Sequence, residues 1–249
     1  MSTPFAFWGL GDLLIDILTD DGAETGLQLK GDCPSMSIKT DAEIKELLGH
    51  GRTNDGQVLA SVVRAKPATM SFTLGQVDQD AFAMAFFGTN AAFTQAATPL
   101  VDSPVTTIED RWVEIGKMRL SSVVVENTGG TVIYVLGTDY ELNERLGMIM
   151  ALSTGAITAG QVVNVSATVA AISGSKITGM TKSNIRARIV MDGNDLASGR
   201  DYKLVIHRAR LASTGDMTIQ GENFLEVKFD GTMETPTGQD GPFELTFLS

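Results

Sequence analysis

The sequence predicts a mainly β fold, an antiparallel sandwich or barrel that carries one short α-helix. Three observations carry the prediction. From Ile108 to the C-terminus, short segments of strand-like residues recur at near-regular spacing, with turn residues between them. Glycine is abundant, with 26 residues against 7 prolines, which suits many turns between short strands. One segment only, near residue 80, combines a helical period with start and stop signals. At 249 residues the chain can bury a good core as one large β domain, or as a domain plus a small insertion.

The N-terminal elements come first. Phe5, Phe7 and Trp8 precede Gly9-Leu10-Gly11-Asp12 and the apolar stretch Leu13 to Leu18, and Asp20-Asp21-Gly22 then marks a turn. Large aromatics beside glycines near a terminus often pack on a neighbouring element or subunit; a simple edge strand is the plainer reading. Residues 34–48 and 58–75 are expected to be two extended strands. In the first, Met36, Ile38 and Thr40 alternate with Ser35, Ser37 and Lys39; in the second, Met70, Phe72 and Leu74 alternate with Ser71 and Thr73. A short helix over Asp41 to Leu48 is the other reading. Between the strands lies a polar, glycine-punctuated connection, Gly49-His50-Gly51-Arg52-Thr53-Asn54-Asp55-Gly56, of the kind that sits on a surface and makes contacts.

The helix is expected after Asp78 as N-cap, with Asp80 in the first turn and Gly88 as the C-terminal stop. Phe82, Ala85 and Phe86 form its apolar stripe. After residue 90 an Ala/Thr/Pro-rich stretch to Pro104 reads as a loop or crossover. Strands are then expected at 111–118, 120–126, 132–136, 140–143, 148–152, 162–169, 185–192, 203–209, 217–220, 225–230 and 243–247. The turns between them are expected at Thr128-Gly129-Gly130, Thr154-Gly155, Asp192-Gly193-Asn194-Asp195, Ser213-Thr214-Gly215-Asp216 and Asp230-Gly231. No internal repeat of fixed period is evident.

The formal net charge is −11. A sequence-independent DNA binder gains affinity through Lys and Arg that displace counterions from phosphates, and this chain lacks that excess. Acidity either serves solubility or lines a passage through which DNA slides without sticking. The single cysteine, Cys33, excludes an intramolecular disulfide framework and fits a reducing compartment. The opening residues show no positive region followed by an apolar run, so no signal peptide is expected. No stretch approaches the roughly 20 apolar residues that span a bilayer. Synthesis in the cytoplasm and no membrane insertion are the expectations.

The raw material for catalysis is thin. There are two histidines, His50 in the polar loop and His207 in an alternating segment beside Arg208 and Arg210. Neither they nor Cys33 has companions at metal-ligand spacing, and Gly-x-Ser-x-Gly is absent. Gly9-Leu10-Gly11 begins like a dinucleotide fingerprint, but Leu14 stands where the third glycine belongs. Gly174 to Ser183 contains a lysine and a serine after glycines, with two residues too many for a phosphate-cradling loop. Asp192-Gly193-Asn194-Asp195 starts like a calcium loop, but Leu196 and Ala197 occupy ligand and turn positions. Loops are expected at the first two segments and a hairpin turn at the third. The expectation is no enzyme, no cofactor and no metal site.

Three stretches carry a resemblance. They are ATMSFTLGQVDQDAFAMAFFGT (residues 68–89) after a long hairpin, GGTVIYVLGTDYELNERLGMIMALSTGAITAGQVVNVSATV (129–169) and IVMDGNDLASGRDYKLVIHRARL (189–211). In this order the chain resembles the major tail tube proteins of long-tailed, siphovirus-type bacteriophages, loosely over residues 30–235. The resemblance implies a tail-tube-type β-sandwich with one short helix. Six copies would close into a ring whose inner strands form a continuous barrel, and rings would stack into a tube for genome delivery. Segments 1–118 and 175–249 would form the sandwich core, with 119–174 as a β-rich insertion or elaboration.

The resemblance also assigns contacts. Gly49, His50, Gly51, Arg52, Thr53, Asn54, Asp55 and Gly56 would be the inter-ring loop, and Phe5, Phe7 and Trp8 a terminal arm. Partners would be further copies of the chain, a tape-measure protein, tail terminator and tip proteins, and double-stranded DNA in transit without specific binding. The location would be the virion tail. Two other readings stay open: a carbohydrate- or receptor-binding virion module, and the tube subunit of a contractile injection system. The first would gather exposed aromatics on one face, whereas Trp8, Trp112, Tyr134, Tyr140 and Tyr202 are dispersed in sequence.

Overall fold

A computed structural model describes residues 5–248. Met1–Pro4 and Ser249, which the expected core segments include, lie outside the described residues. The fold is mainly β with antiparallel sheets and one short helix. In chain order the elements are β1 (Gly9–Ile17), β2 (Gln28–Lys30), β3 (Ser35–Lys39), β4 (Ala42–Leu48), β5 (Val58–Ala65), β6 (Thr69–Leu74), α1 (Gln79–Ala85), β7 (Thr89–Gln95), β8 (Leu100–Thr106) and β9 (Trp112–Glu114). They continue with β10 (Leu120–Asn127), β11 (Tyr140–Asn143), β12 (Met148–Ala151), β13 (Val162–Val169), β14 (Ile172–Thr178), β15 (Ile185–Asp195), β16 (Arg200–Ser213), β17 (Val227–Met233) and β18 (Phe243–Phe247).

The chain divides into two compact units. The first runs to Asn90 and resumes at Ile177. It holds a sheet in the order β2-β1-β15-β16-β17-β6-β3, with β18 also paired to β16. Strict alternation builds its core: Leu13 and Ile15, Met70, Phe72 and Leu74, Ile189 and Met191, Ile206, and Val227 and Phe229 all point to one side. Phe72 and Phe229 stack there with ring centroids 5.1 Å apart. Ala81, Met84 and Ala85 of α1 close over the same core.

The second unit, Ala91–Lys176, takes in residues 91–118 as well as the 119–174 segment. Its sheets β10-β13-β8 and β11-β12-β9 share one core, in which Val125, Val163 and Val165 meet Tyr140, Ile149 and Ala151. β7 and β14 pair as a two-stranded ladder.

The helix begins as the sequence predicts. Asp78 is extended and accepts the Ala81 amide at 2.7 Å. Its end differs. Phe87, at φ 49, takes the left-handed position, while the Gly88 amide donates to the Ala83 carbonyl at 2.8 Å. Gly88 is required for another reason, because a Cβ there would collide with the Thr178 carbonyl. The stripe differs too: Phe82 and Phe86 are half-buried and stack on each other, and the smaller Ala81, Met84 and Ala85 face the core.

Other expectations are corrected. Residues 90–104 are no loop, since β7 and most of β8 lie there. Threonines favour strands, and Pro104 is tolerated because β8 is an edge strand. Asp192 to Asp195 is no turn: β15 runs to Asp195 and the reversal falls at 196–199, with Gly199 at φ 70. Gly193 lies opposite Tyr202, whose ring occupies the space of the missing side chain. Gly231 is likewise inside β17, where a Cβ would stand 2.9 Å from the Arg210 carbonyl. Gly9-Leu10-Gly11 lies in β1, a strand rather than a loop, whereas the run from Gly174 to Ser183 begins in β14 and continues from Gly179 as the expected loop. Residues 217–220 form no strand, and 132–136 make only isolated bridges. Ala42–Leu48 is strand, in line with the extended reading of this stretch and not with the helical alternative.

Candidate assembly surfaces

The hairpin β4–β5 is the least expected part of the surface. Its strands pair only with each other, Ile44 opposite Val63 and Leu47 opposite Ala60. Every residue in both strands is exposed. At about 3.3 Å per residue, seven residues reach roughly 23 Å. Ile44 at 62% exposure and Val63 at 66% lie on one side with Glu46, and Leu47 and Val62 on the other with Glu43, Lys45 and Arg64, so both faces expose apolar side chains among charged ones. An isolated two-stranded hairpin has marginal stability in water. A contiguous exposed apolar surface of this kind marks an interaction site.

The loop Gly49–Gly56 is the tip of that hairpin. It is a closed turn: the Gly49 amide donates to the Gln57 carbonyl at 2.8 Å, and the Gly56 amide to the Gly49 carbonyl at 2.9 Å. Gly56 takes φ 76, and Asn54 approaches Gly49 and Gly51 too closely for side chains there. His50 Nδ1 lies 3.6 Å from Asp55 Oδ1, both side chains exposed. Arg52 and Thr53 are exposed at the extremity.

The other predicted contact, Phe5, Phe7 and Trp8, divides in two. Phe7 packs on Tyr202 and Phe247, and Phe5 packs on Phe247 with the Arg200 guanidinium 5.6 Å from its ring centre. The segment therefore packs on β16 and β18 of its own chain, although Phe5 and Phe7 stay about half exposed. Trp8 differs: its indole is 67% exposed, while its backbone is pinned by its amide donating to Asp195 Oδ1 at 2.7 Å. Asp195 is fully buried and accepts from the Ser198 hydroxyl and the Ala197 amide as well. The Ser198 hydroxyl and then the Trp8 amide hold its carboxyl below the usual carboxylate range.

Two further polar clusters shape the units. Lys30 is buried, and its ammonium meets Asp78 at 2.7 Å and Asp80 at 3.8 Å, tying β2 to the start of α1. Burial works to raise the Asp78 pKa, but the Lys30 hydrogen bond and the Ala81 amide outweigh it, and the carboxyl lies below its ordinary value. In the second unit Asp139 accepts from the Val135 and Ala156 amides at 2.8 and 2.9 Å, and these bonds lower its pKa in that order.

His50 and His207 lie in different settings, the first at the hairpin tip and the second 3.4 Å from Glu244 on β18. Among the described residues no group of three or more His, Cys, Asp or Glu could hold a metal ion. Among the described residues no helix is long and apolar enough to cross a membrane. Away from the core, β15 and β16 carry Arg186, Arg188, Arg208 and Arg210, of which Arg188 pairs with Glu24 and Arg210 with Glu234. Sequence reading located the polar tip but missed the apolar flanks. The signal was available: Val58 to Val63 is an apolar run whose alternate faces are both hydrophobic.

These features define a β-rich protein with a projecting apolar hairpin. Residues 6–241 match the family described as "Protein of unknown function UCP028589", and the chain belongs to that family. No curated protein matches the sequence.

Proposed function

We propose that the protein is a structural subunit that self-assembles into stacked hexameric rings, forming a phage tail tube through which a genome passes. The observation that carries this reading is the hairpin β4–β5, which exposes apolar side chains on both faces and ends in a closed polar tip at Gly49–Gly56. A hairpin of this kind is explained once a neighbouring copy covers it, because burial of its valines and leucines then repays their exposure in the monomer. The resemblance to tail tube proteins supplies the ring and the stacking. Physical requirements agree with it: open sheet edges at β2 and β3 need pairing or protection, and head-to-tail contacts that close give rings. The net charge of −11 suits a conduit that DNA does not adhere to. The tape-measure, terminator and tip proteins, and the virion tail as location, follow from the same reading.

Sedimentation velocity of the intact chain and of a variant lacking Gly51–Asp55 tests the hairpin's part. The expected result is large assemblies for the intact chain and a folded, non-stacking subunit for the deletion. Normal tubes from the deletion would remove the hairpin tip from the contact.

A further inference from the structure

The second unit carries a groove that the assembly reading does not use. The strands β11, β12 and β9 lie side by side, with Glu141 opposite Met150 and Met150 opposite Trp112. The next row is Asn143, Met148 and Glu114. Val113, Ile149 and Leu142, at the alternate positions, face the core. The two rows therefore lie on the side turned away from it.

This side is not a plain solvated sheet. Trp112 is 42% exposed and, with Leu136, Glu141, Glu144 and Arg145, lines a hollow of about 520 Å³. The hollow is shallow and largely open to solvent. The carboxylates of Glu141 and Glu144 and the guanidinium of Arg145 make no hydrogen bond or ion pair with other described residues. Asn143 accepts the Leu146 amide at 3.0 Å through Oδ1, which leaves its NH2 donors for a ligand.

The charge of the lining selects the occupant. Two carboxylates repel a phosphate, so a nucleotide is disfavoured despite the indole, and Arg145 opposes a polyamine that the carboxylates would attract. A neutral polyhydroxyl ligand meets neither penalty. Each hydroxyl both donates and accepts, and carboxylate acceptors here alternate with guanidinium and amide donors. An exposed indole offers a flat apolar face to the C–H face of a pyranose ring. We propose that this groove binds a neutral oligosaccharide, stacked on Trp112 and held by Glu141, Asn143, Glu144 and Arg145. The site lies wholly within the second unit and does not depend on assembly.

The experiment uses the full chain on an array of neutral hexose and N-acetylhexosamine oligosaccharides. The strongest binder is then titrated by fluorescence in a Trp8→Phe variant, whose single remaining tryptophan is Trp112. The expected result is a saturable fluorescence change, and calorimetric titration, which needs no indole, should show affinity falling tenfold or more in Trp112→Ala and in Glu141→Gln while Trp112→Phe retains part of it. Glu141 is exposed, so its variant separates loss of binding from loss of folding. Absence of any array binder would overturn the proposal. So would glycan binding that survives both Trp112→Ala and Glu141→Gln, or a Trp112 response to spermidine or AMP with none to glycans.

Discussion

The ammonium of Lys30 is buried and finds Asp78 at 2.7 Å, and Asp78 also caps α1. Removing the acid leaves a buried cation and an uncapped helix, whereas removing the cation leaves a half-exposed carboxylate that water can solvate. Asp78→Ala should therefore cost about 1–3 kcal/mol, from the lost cap and from leaving the Lys30 ammonium with only Gln28 at 3.1 Å and the more distant Asp80 at 3.8 Å. Lys30→Met should cost less, and urea midpoints of the two variants give the order. Asp195 supports a prediction about pH. Its folded pKa is lowered, so the unfolded chain takes up the proton first as pH falls. Its contribution is fully present above the unfolded value of about 3.9 and is lost as pH drops through the lower folded value. Asp78 and Asp139 shift the same way. The stability advantage of the natural chain over Asp195→Asn should narrow below about pH 4 in denaturant titrations repeated across pH, and a constant gap would contradict the assignment.

At the scale of elements, alternation was the reliable guide. Tyr140–Asn143, Val162–Val169 and Phe243–Phe247 are strands over the ranges that pattern alone indicates. What pattern could not reveal was a glycine used for close approach. Gly193 and Gly231 look like turn residues in sequence, but they sit inside strands because Tyr202 and the Arg210 carbonyl occupy the space a side chain would need. Nor could alternation show that β4 and β5 leave the main sheet, since a hairpin with two apolar faces has the composition of a buried pair. The tip Gly49–Gly56 was legible from its glycines and polarity, and Trp8 was recognised as an aromatic near the terminus. All three are exposed, and what separates Phe5 and Phe7 from Trp8 is their ring contact with Phe247, 240 residues downstream of Phe7. The hairpin yields a direct prediction. The double substitution Ile44→Lys, Val63→Lys touches only exposed positions and should change stability by no more than about 0.5 kcal/mol. Light scattering should show that it no longer assembles, because two charges per copy would be buried at the contact.

For the whole molecule, two cores are built from one chain, and their largest buried members set the energetic stakes. Phe229 is fully buried and stacked on Phe72, so Phe229→Ala should lose about 3–5 kcal/mol and unfold much of the first unit under mild denaturant. The β-rich class of the fold was open to sequence reading from turn spacing, while the helix's buried face and the strands within residues 90–104 were not. Assembly belongs to this scale as well. A chain of net charge −11 gains colloidal stability from its acidity, yet it exposes an apolar hairpin that would otherwise reduce solubility. The proposed polymer would reconcile the two. Electron microscopy of the purified full chain at high concentration tests this most directly: the account predicts six-membered rings or hollow tubes, and a protein that stays strictly monomeric under those conditions would contradict it.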